Sequence, residues 1–215
     1  MLKKSAFLGL LSTLFYVIHV ILGGILWKGY NHIVQPVSDL TAAGAPNRDL
    51  ILVFTTLYSI CGLLFSAGAF LYWRKSKIRF ISISMVLYVL MAMISLSYSF
   101  FPQDMPGTAM TFRGVMHIAV TGLIVPVAIL YPLFAGLGFR KLQGYKKFSI
   151  YSIVTSMAIF VSGGTSVIFI ANKVPFFGLV ERINLGSIQL WTVVLAILTL
   201  VSDRAAVQGT NAKVL

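Results

Sequence analysis

Apolar residues in this chain come in stretches too long for strands and too continuous for one face of an amphipathic helix. Six such stretches run from Ser5 to Trp27, Leu50 to Trp73, Phe80 to Phe101, Phe112 to Gly136, Phe148 to Ala171 and Ile183 to Ser202. A helix needs about 20 apolar residues to cross about 30 Å of hydrocarbon at about 1.5 Å per residue. Each stretch meets that length. The pattern predicts an all-α integral membrane bundle of six transmembrane helices, forming a single domain over residues 1–215. The first stretch follows Lys3 and Lys4, as a secretory signal would. It is longer than the roughly 7–15 apolar residues of such a signal and no small-x-small cleavage site follows, so a retained helix is expected. Trp27 and Tyr30 then read as interfacial anchors.

Composition strengthens this picture. The chain is 58% hydrophobic and 10% charged, against about 45–50% and about 25% in soluble domains. A soluble enzyme, a disordered chain and an ordinary nucleic-acid-binding domain are excluded. Cys61 is the sole cysteine, so there is neither an intramolecular disulfide nor a cysteine-based zinc cluster. The net charge of +12 is explained by where the cations fall. Lys3, Lys4, Arg74, Lys75, Lys77, Arg79, Arg140, Lys141, Lys146, Lys147, Arg204 and Lys213 lie on one side of the predicted bundle, and only Lys28, Arg48, Arg113, Lys173 and Arg182 on the other. The positive-inside rule puts the richer side, and with it both termini, in the cytoplasm of a plasma-membrane protein. The charge is then a topology signal with anionic-lipid contact as a by-product, and no nucleic acid partner is needed. Asp39, Asp49, Asp104 and Glu181 fall outside, and only Asp203 inside.

The chemistry gathers on the outer side. The first outer loop, Lys28 to Asp49, is long for a compact bundle, and such loops are often functional. Ser38 or Asp39 is expected to cap one turn of helix lying over the bundle. Gly44 is its C′ residue, Pro46 its stop, and Asn47 or Asp49 a cap for the second span. His19 lies eight residues before Trp27, inside the first helix, where an ionisable group is a functional-site candidate. Its alternative role is a neutral hydrogen-bonding tie between helices. Arg113 and His117 share a face of the fourth helix with Asp104 just upstream. An Asp–His pair beside an Arg suits general-base chemistry or anion binding, and equally a structural ion pair of Asp104 with Arg113. Glu181 and Arg182 are expected to open the sixth helix, with the acid at the positive end of its dipole. Asn184 and Gln189 continue polar groups inward. Thr155, Ser162, Ser166, Gly163 and Gly164 of the fifth span read as close helix contacts.

No phosphate loop, HExxH or GxSxG is present. A metal held by His19, His117, Asp39 and Asp104, or a haem between the two histidines, is chemically permitted and leaves the cofactor unknown. The motifs from Gly29 to Arg48 (GYN…PVSDLTAAGAPNR), FPQD at Phe101 to Asp104, RGVMH at Arg113 to His117 and GLVER at Gly178 to Arg182 resemble the bacterial membrane proteins grouped as domain of unknown function nine-nine-eight. That resemblance covers essentially the whole chain and implies a six-helix membrane protein without an established activity. A more distant comparison, with metal-dependent membrane hydrolases such as alkaline ceramidases, lacks their HxxxH pair, because no histidine follows His117.

The resulting expectation is an outward-facing polar site for a lipid or other amphiphilic ligand, used in binding or in catalysis. Asp39, Asp104 and His117 are the candidates for proton chemistry, and His19, Ser38, Arg113, Glu181 and Arg182 for ligand contact. Asp39 or Asp104, His117, and Glu181 or Arg182 should share one water-accessible cleft. A small-solute transporter and a non-catalytic accessory subunit are the alternatives.

Overall fold

The computed structural model describes residues 2–202. Asp203, Arg204 and Lys213 of the charge reading lie outside them. The described chain forms six helices: α1 (Ala6–Leu26), α2 (Arg48–Trp73), α3 (Arg79–Ser95), α4 (Phe112–Phe139), α5 (Lys146–Ala171) and α6 (Phe177–Val201). All six, with their flanking turns, are long and apolar enough to cross a membrane. Among the described residues there is no strand, only an isolated parallel bridge between Ala43 and Asp104. Each helix lies against the next, and α6 closes back onto α1. The protein is therefore an all-α, multi-pass membrane bundle. Lys3 Nζ donates to the Leu200 carbonyl at 3.2 Å and also to that of Ser202, so the start of the chain and the end of α6 meet at one end of the bundle. We refer to this as the basic end, and to the opposite one, which carries residues 27–47, as the loop end.

Lipid tails supply no hydrophobic drive between helices, so contact shape and hydrogen bonds must hold them together. An aromatic centre does the first. Trp191 stands edge-on to Tyr131 and Tyr88 at centroid distances of 4.8 and 5.3 Å, and Phe139 meets Phe148 and Trp73 at 4.8 and 4.7 Å. Hydroxyls and indoles do the second. Ser84 donates to the Tyr131 carbonyl, Ser149 to that of Gly136 and Ser156 to that of Ile129, each at 2.7 Å. Trp191 donates to Ser152 and Trp73 to Thr199, both at 2.9 Å. Asn184 Nδ2 spans to Ile159 O and Ser162 Oγ, tying α6 to α5 as the close-contact reading of Ser162 expected. The single ion pair among the described residues, Arg48 with Asp49 at 3.6 Å, involves a 98% exposed carboxylate and contributes little.

Candidate functional site

At the loop end the chain first turns at Gly29, whose φ of +89° suits glycine. Asn31 Oδ1 accepts the Ile33 and Val34 amides, an Asx turn that aims the backbone across the bundle. Pro36 then starts a 3-10 turn over Val37–Thr41. Leu40 is buried against Gly23 of α1, and Asn47 Nδ2 donates to the last α1 carbonyl, Leu26 O, at 3.1 Å. The crossing seats the connection on the start of α6. That helix has no side-chain N-cap at Phe176. Its first free amides go instead to the connection: Gly178 N donates to Val34 O at 3.2 Å and Leu179 N to Ile33 O at 2.9 Å. Four such amides are left over at any helix start, and here two are met by loop carbonyls. A Cβ at position 178 would strike the Gln35 backbone. Gly178→Ala is expected to cost about 1–3 kcal/mol by forcing this contact apart. Thermal melting in detergent checks it, and an unaltered melt would mean the connection is not held there.

Arg182 is the hub. Nη1 donates to Gln35 O at 2.8 Å and Gly178 O at 2.9 Å. Nη2 donates to Tyr30 Oη at 2.7 Å and lies 3.1 Å from His32 Nδ1. The guanidinium also sits 5.6 Å from the Tyr30 ring centre. Tyr30 Oη in turn donates a hydrogen bond to Pro36 O at 2.6 Å. One turn in from the helix start, Glu181 accepts the Val37 amide. Within the connection of residues 27–47, which forms a roof over this end, Asp39 is fully buried, its Oδ1 accepting Gln103 Nε2 at 2.8 Å. Gln103 O in turn accepts the Ala43 amide at 2.9 Å, which joins residues 100–111 to the roof. Burial pushes the Asp39 carboxyl up to about 6, against the opposing pull of the Gln35 and Gln103 amides and of Arg182. Burial likewise raises the Tyr30 phenol to about 12, with Arg182 restraining the rise. It lowers His32, helped by the nearby Arg182 charge. His19, 4% exposed, stands edge-on to Tyr16 at 5.1 Å, within electrostatic reach of Arg182.

The family described as "Protein of unknown function (DUF998)" matches residues 10–198. The chain belongs to that family. No curated protein and no solved structure matches it.

In this DUF998 chain the sequence-derived candidates divide into two groups. Asp39, Glu181 and His19 lie around Arg182, and Ser38 borders them, half-buried, on the same 3-10 turn. Asp104, His117 and Arg113 do not join them by side-chain contact. Asp104 spends both oxygens on Thr111, Oδ2 on its amide at 2.7 Å and Oδ1 on its hydroxyl at 2.8 Å. Thr111 then caps α4 through Gly114 N. His117 Nδ1 faces Phe101 O at 3.0 Å and its ring lies 4.8 Å from Tyr98. Arg113 is exposed and forms no ion pair. The expected Asp104–Arg113 ion pair is therefore absent, because a carboxylate flanked by a free backbone amide takes the local bond first. Among the described residues no three of His, Cys, Asp and Glu come together to hold a metal, so the quartet of His19, His117, Asp39 and Asp104 is not formed.

Three details also differ from the loop reading. Neither Ser38 nor Asp39 caps the short helix; Pro36 holds that position. Asn47 turns back to α1 rather than capping α2. The sixth helix begins at Phe177, so Glu181 sits past its first turn and is held by Val37 rather than by the helix end. The sequence marks Tyr30 as an interfacial anchor and His32 as a solvated loop residue rather than as neighbours of Arg182, and gives no sign of Gln35 or Gln103. Tyr30 carried a signal, since it is an aromatic just beyond a helix end, but one that pointed to the membrane interface.

Proposed function

We propose that the loop-end cluster binds the polar head of a lipid or other amphiphilic molecule. One observation carries this reading. Among the described residues four buried side-chain atoms lack a hydrogen bond of good geometry, Tyr131 Oη in the aromatic centre and three at this end: Asp39 Oδ2, near the Gln35 amide, His19 Nδ1, near the Tyr16 backbone, and Arg182 Nε on α6. An unmet buried polar group costs about 1–3 kcal/mol, and a ligand that supplies both a donor and an acceptor recovers it. Apolar surface adjoins them, because Ile33, Val34, Phe176 and Leu179 are exposed at the same end. A polar head among the first group with a tail along the second is the amphiphile arrangement. Asp39, with its carboxyl poised near neutral pH, is the group suited to proton transfer if the bound head is also modified.

The orientation of the site belongs to the same proposal. Ten cations and no acid occupy the basic end of the described chain, against five cations at the loop end. The cluster then faces the outside of the plasma membrane. Cysteine placed at Asn47 should label with an impermeant reagent in intact cells and cysteine at Gln143 should not; the reverse would turn the site to the cytoplasm.

The binding test is native mass spectrometry of the protein released from nanodiscs made of its own host membranes. Wild type is expected to retain a discrete small-molecule mass. Asp39→Asn should lose it while melting no lower than wild type. Bare protein in both spectra would contradict the reading. A transporter is the second reading, favoured by one feature: Thr13 Oγ1 to Gln189 Oε1 at 3.3 Å and Gln189 Nε2 to Tyr58 Oη at 3.0 Å continue polar contacts inward.

A further inference from the structure

A partly open cavity of about 30 Å³ lies where α1, α2, α3 and α6 meet. Its accessible wall is mostly apolar, with polar groups set into it. Ser12, Tyr58, Ser95, Gln189 and Thr192 line it together with Tyr88 and the apolar Met91. Around it the polar groups are already organised. Ser12 Oγ donates to Tyr58 O at 2.9 Å, Gln189 Nε2 to Tyr58 Oη at 3.0 Å, and Tyr88 Oη and Thr192 Oγ1 share a bond of 3.0 Å. Each of these hydroxyls retains a lone pair, and Tyr58 retains its proton. The Tyr58–Gln189 pair and the Tyr88–Thr192 pair face the same space from two sides.

On the loop-end side, Gln189 lies seven residues along α6 from Arg182, two turns down one face and about 10 Å away. Tyr16 fills the step between them from α1. Its ring centre is 5.6 Å from that of Tyr58, and its phenol lies within electrostatic reach of Glu181 and Arg182. On α1 the buried positions Ser12, His19 and Gly23 follow the same line from the cavity to the roof.

We propose that this cavity is an internal hydration site. Water held there bridges Tyr58 and Gln189 to the Tyr88–Thr192 pair. About 10–15 Å³ suffices for one water with two to four polar partners, so the space takes about two. It is too small for a solvated ion or an organic solute. The hydration site does not depend on a ligand at the loop end, so it stands or falls separately from the amphiphile reading.

Pulsed hydroxyl-radical footprinting of the full-length protein in nanodiscs, in ¹⁸O-labelled water, tests this. Radicals form where water is, and methionine records them. Four methionines calibrate the readout: Met110, 67% exposed at the loop end, for bulk water; Met157, 56% exposed on the lipid-facing side of α5, for lipid; Met85, fully buried away from the cavity, for a dry core; and Met91, 8% exposed, for the cavity itself. Met91 is expected to incorporate label at least several-fold faster than Met85 and Met157. Gln189→Leu, which removes a bridge and fills space, should bring Met91 down to their level, whereas Asp39→Asn should leave it unchanged. Met91 labelling no faster than Met85 in the wild type would overturn the hydration site. Labelling of Met91 that survives Gln189→Leu undiminished would overturn the bridging role of Gln189 on which the hydration site depends.

Discussion

Replacing Arg182 by methionine is expected to release residues 27–47 from α6 and to lower stability by about 3–5 kcal/mol, the usual cost of stripping one member from a buried charged network. The change removes the donors to Gln35 O, Gly178 O and Tyr30 Oη together. It also leaves Glu181 and Asp39 beside each other without the cation that moderates both. Arg182→Lys should rescue little. A single ammonium at the end of a flexible stem cannot serve two carbonyls and a phenol that match the planar guanidinium fork. The damage should be local, because the aromatic centre around Trp191 has no contact with Arg182. Limited proteolysis should therefore cut between Tyr30 and Leu40 while the helices persist. An uncut connection with a wild-type melting curve would contradict the hub role.

Acid is expected to tighten the roof. The Asp39 carboxyl is held up to about 6 from an ordinary 3.8, so the folded chain keeps this proton where the unfolded chain has lost it. Stability from this group is therefore full below about 4, falls as pH rises through the interval to about 6, and is level above it. Two pH units at about 1.4 kcal/mol each set a ceiling of about 3 kcal/mol. Asp39→Asn keeps the acceptor for Gln103 and cannot ionise. Subtracting its melting curves from those of wild type cancels the titrating groups that do not interact with Asp39, leaving Asp39 and its neighbour Glu181. The difference should grow across that interval in favour of the variant. A flat difference would mean that Asp39 is solvated rather than buried.

The helices were legible because lipid solvation demands one thing of a sequence, a long apolar run, and Arg48–Trp73 or Lys146–Ala171 satisfies it almost to the residue. The exception is informative. The apolar run predicts a sixth span from Ile183 with Glu181 and Arg182 opening the helix, yet the helix begins at Phe177 with its free amides met by Ile33 and Val34. Such a cap comes from backbone carbonyls some 140 residues away, and backbone leaves no mark in the sequence. The site divides in the same way. Asp39, His19, Glu181 and Arg182 were visible as costly residues at membrane depth or in a long loop. Gln35 and Gln103 were not, since an amide has no spacing rule and their role is set by which long-range neighbour they meet. Helical spacing put Arg113 and His117 on one face, but spacing could not show that Asp104 is already committed to Thr111.

Everything proposed for the cluster rests on residues 27–47 being seated on α6, and one cross-link tests that directly. Ile33 O accepts the Leu179 amide at 2.9 Å, and both side chains are exposed. Backbones that close fall within the roughly 4.4–6.8 Å Cα separation that a disulfide spans. In a Cys61→Ser background, the pair Ile33→Cys and Leu179→Cys should oxidise nearly completely, with no loss of folded protein. Two cysteines that both react with maleimide yet never join would contradict the seated roof, and with it the site.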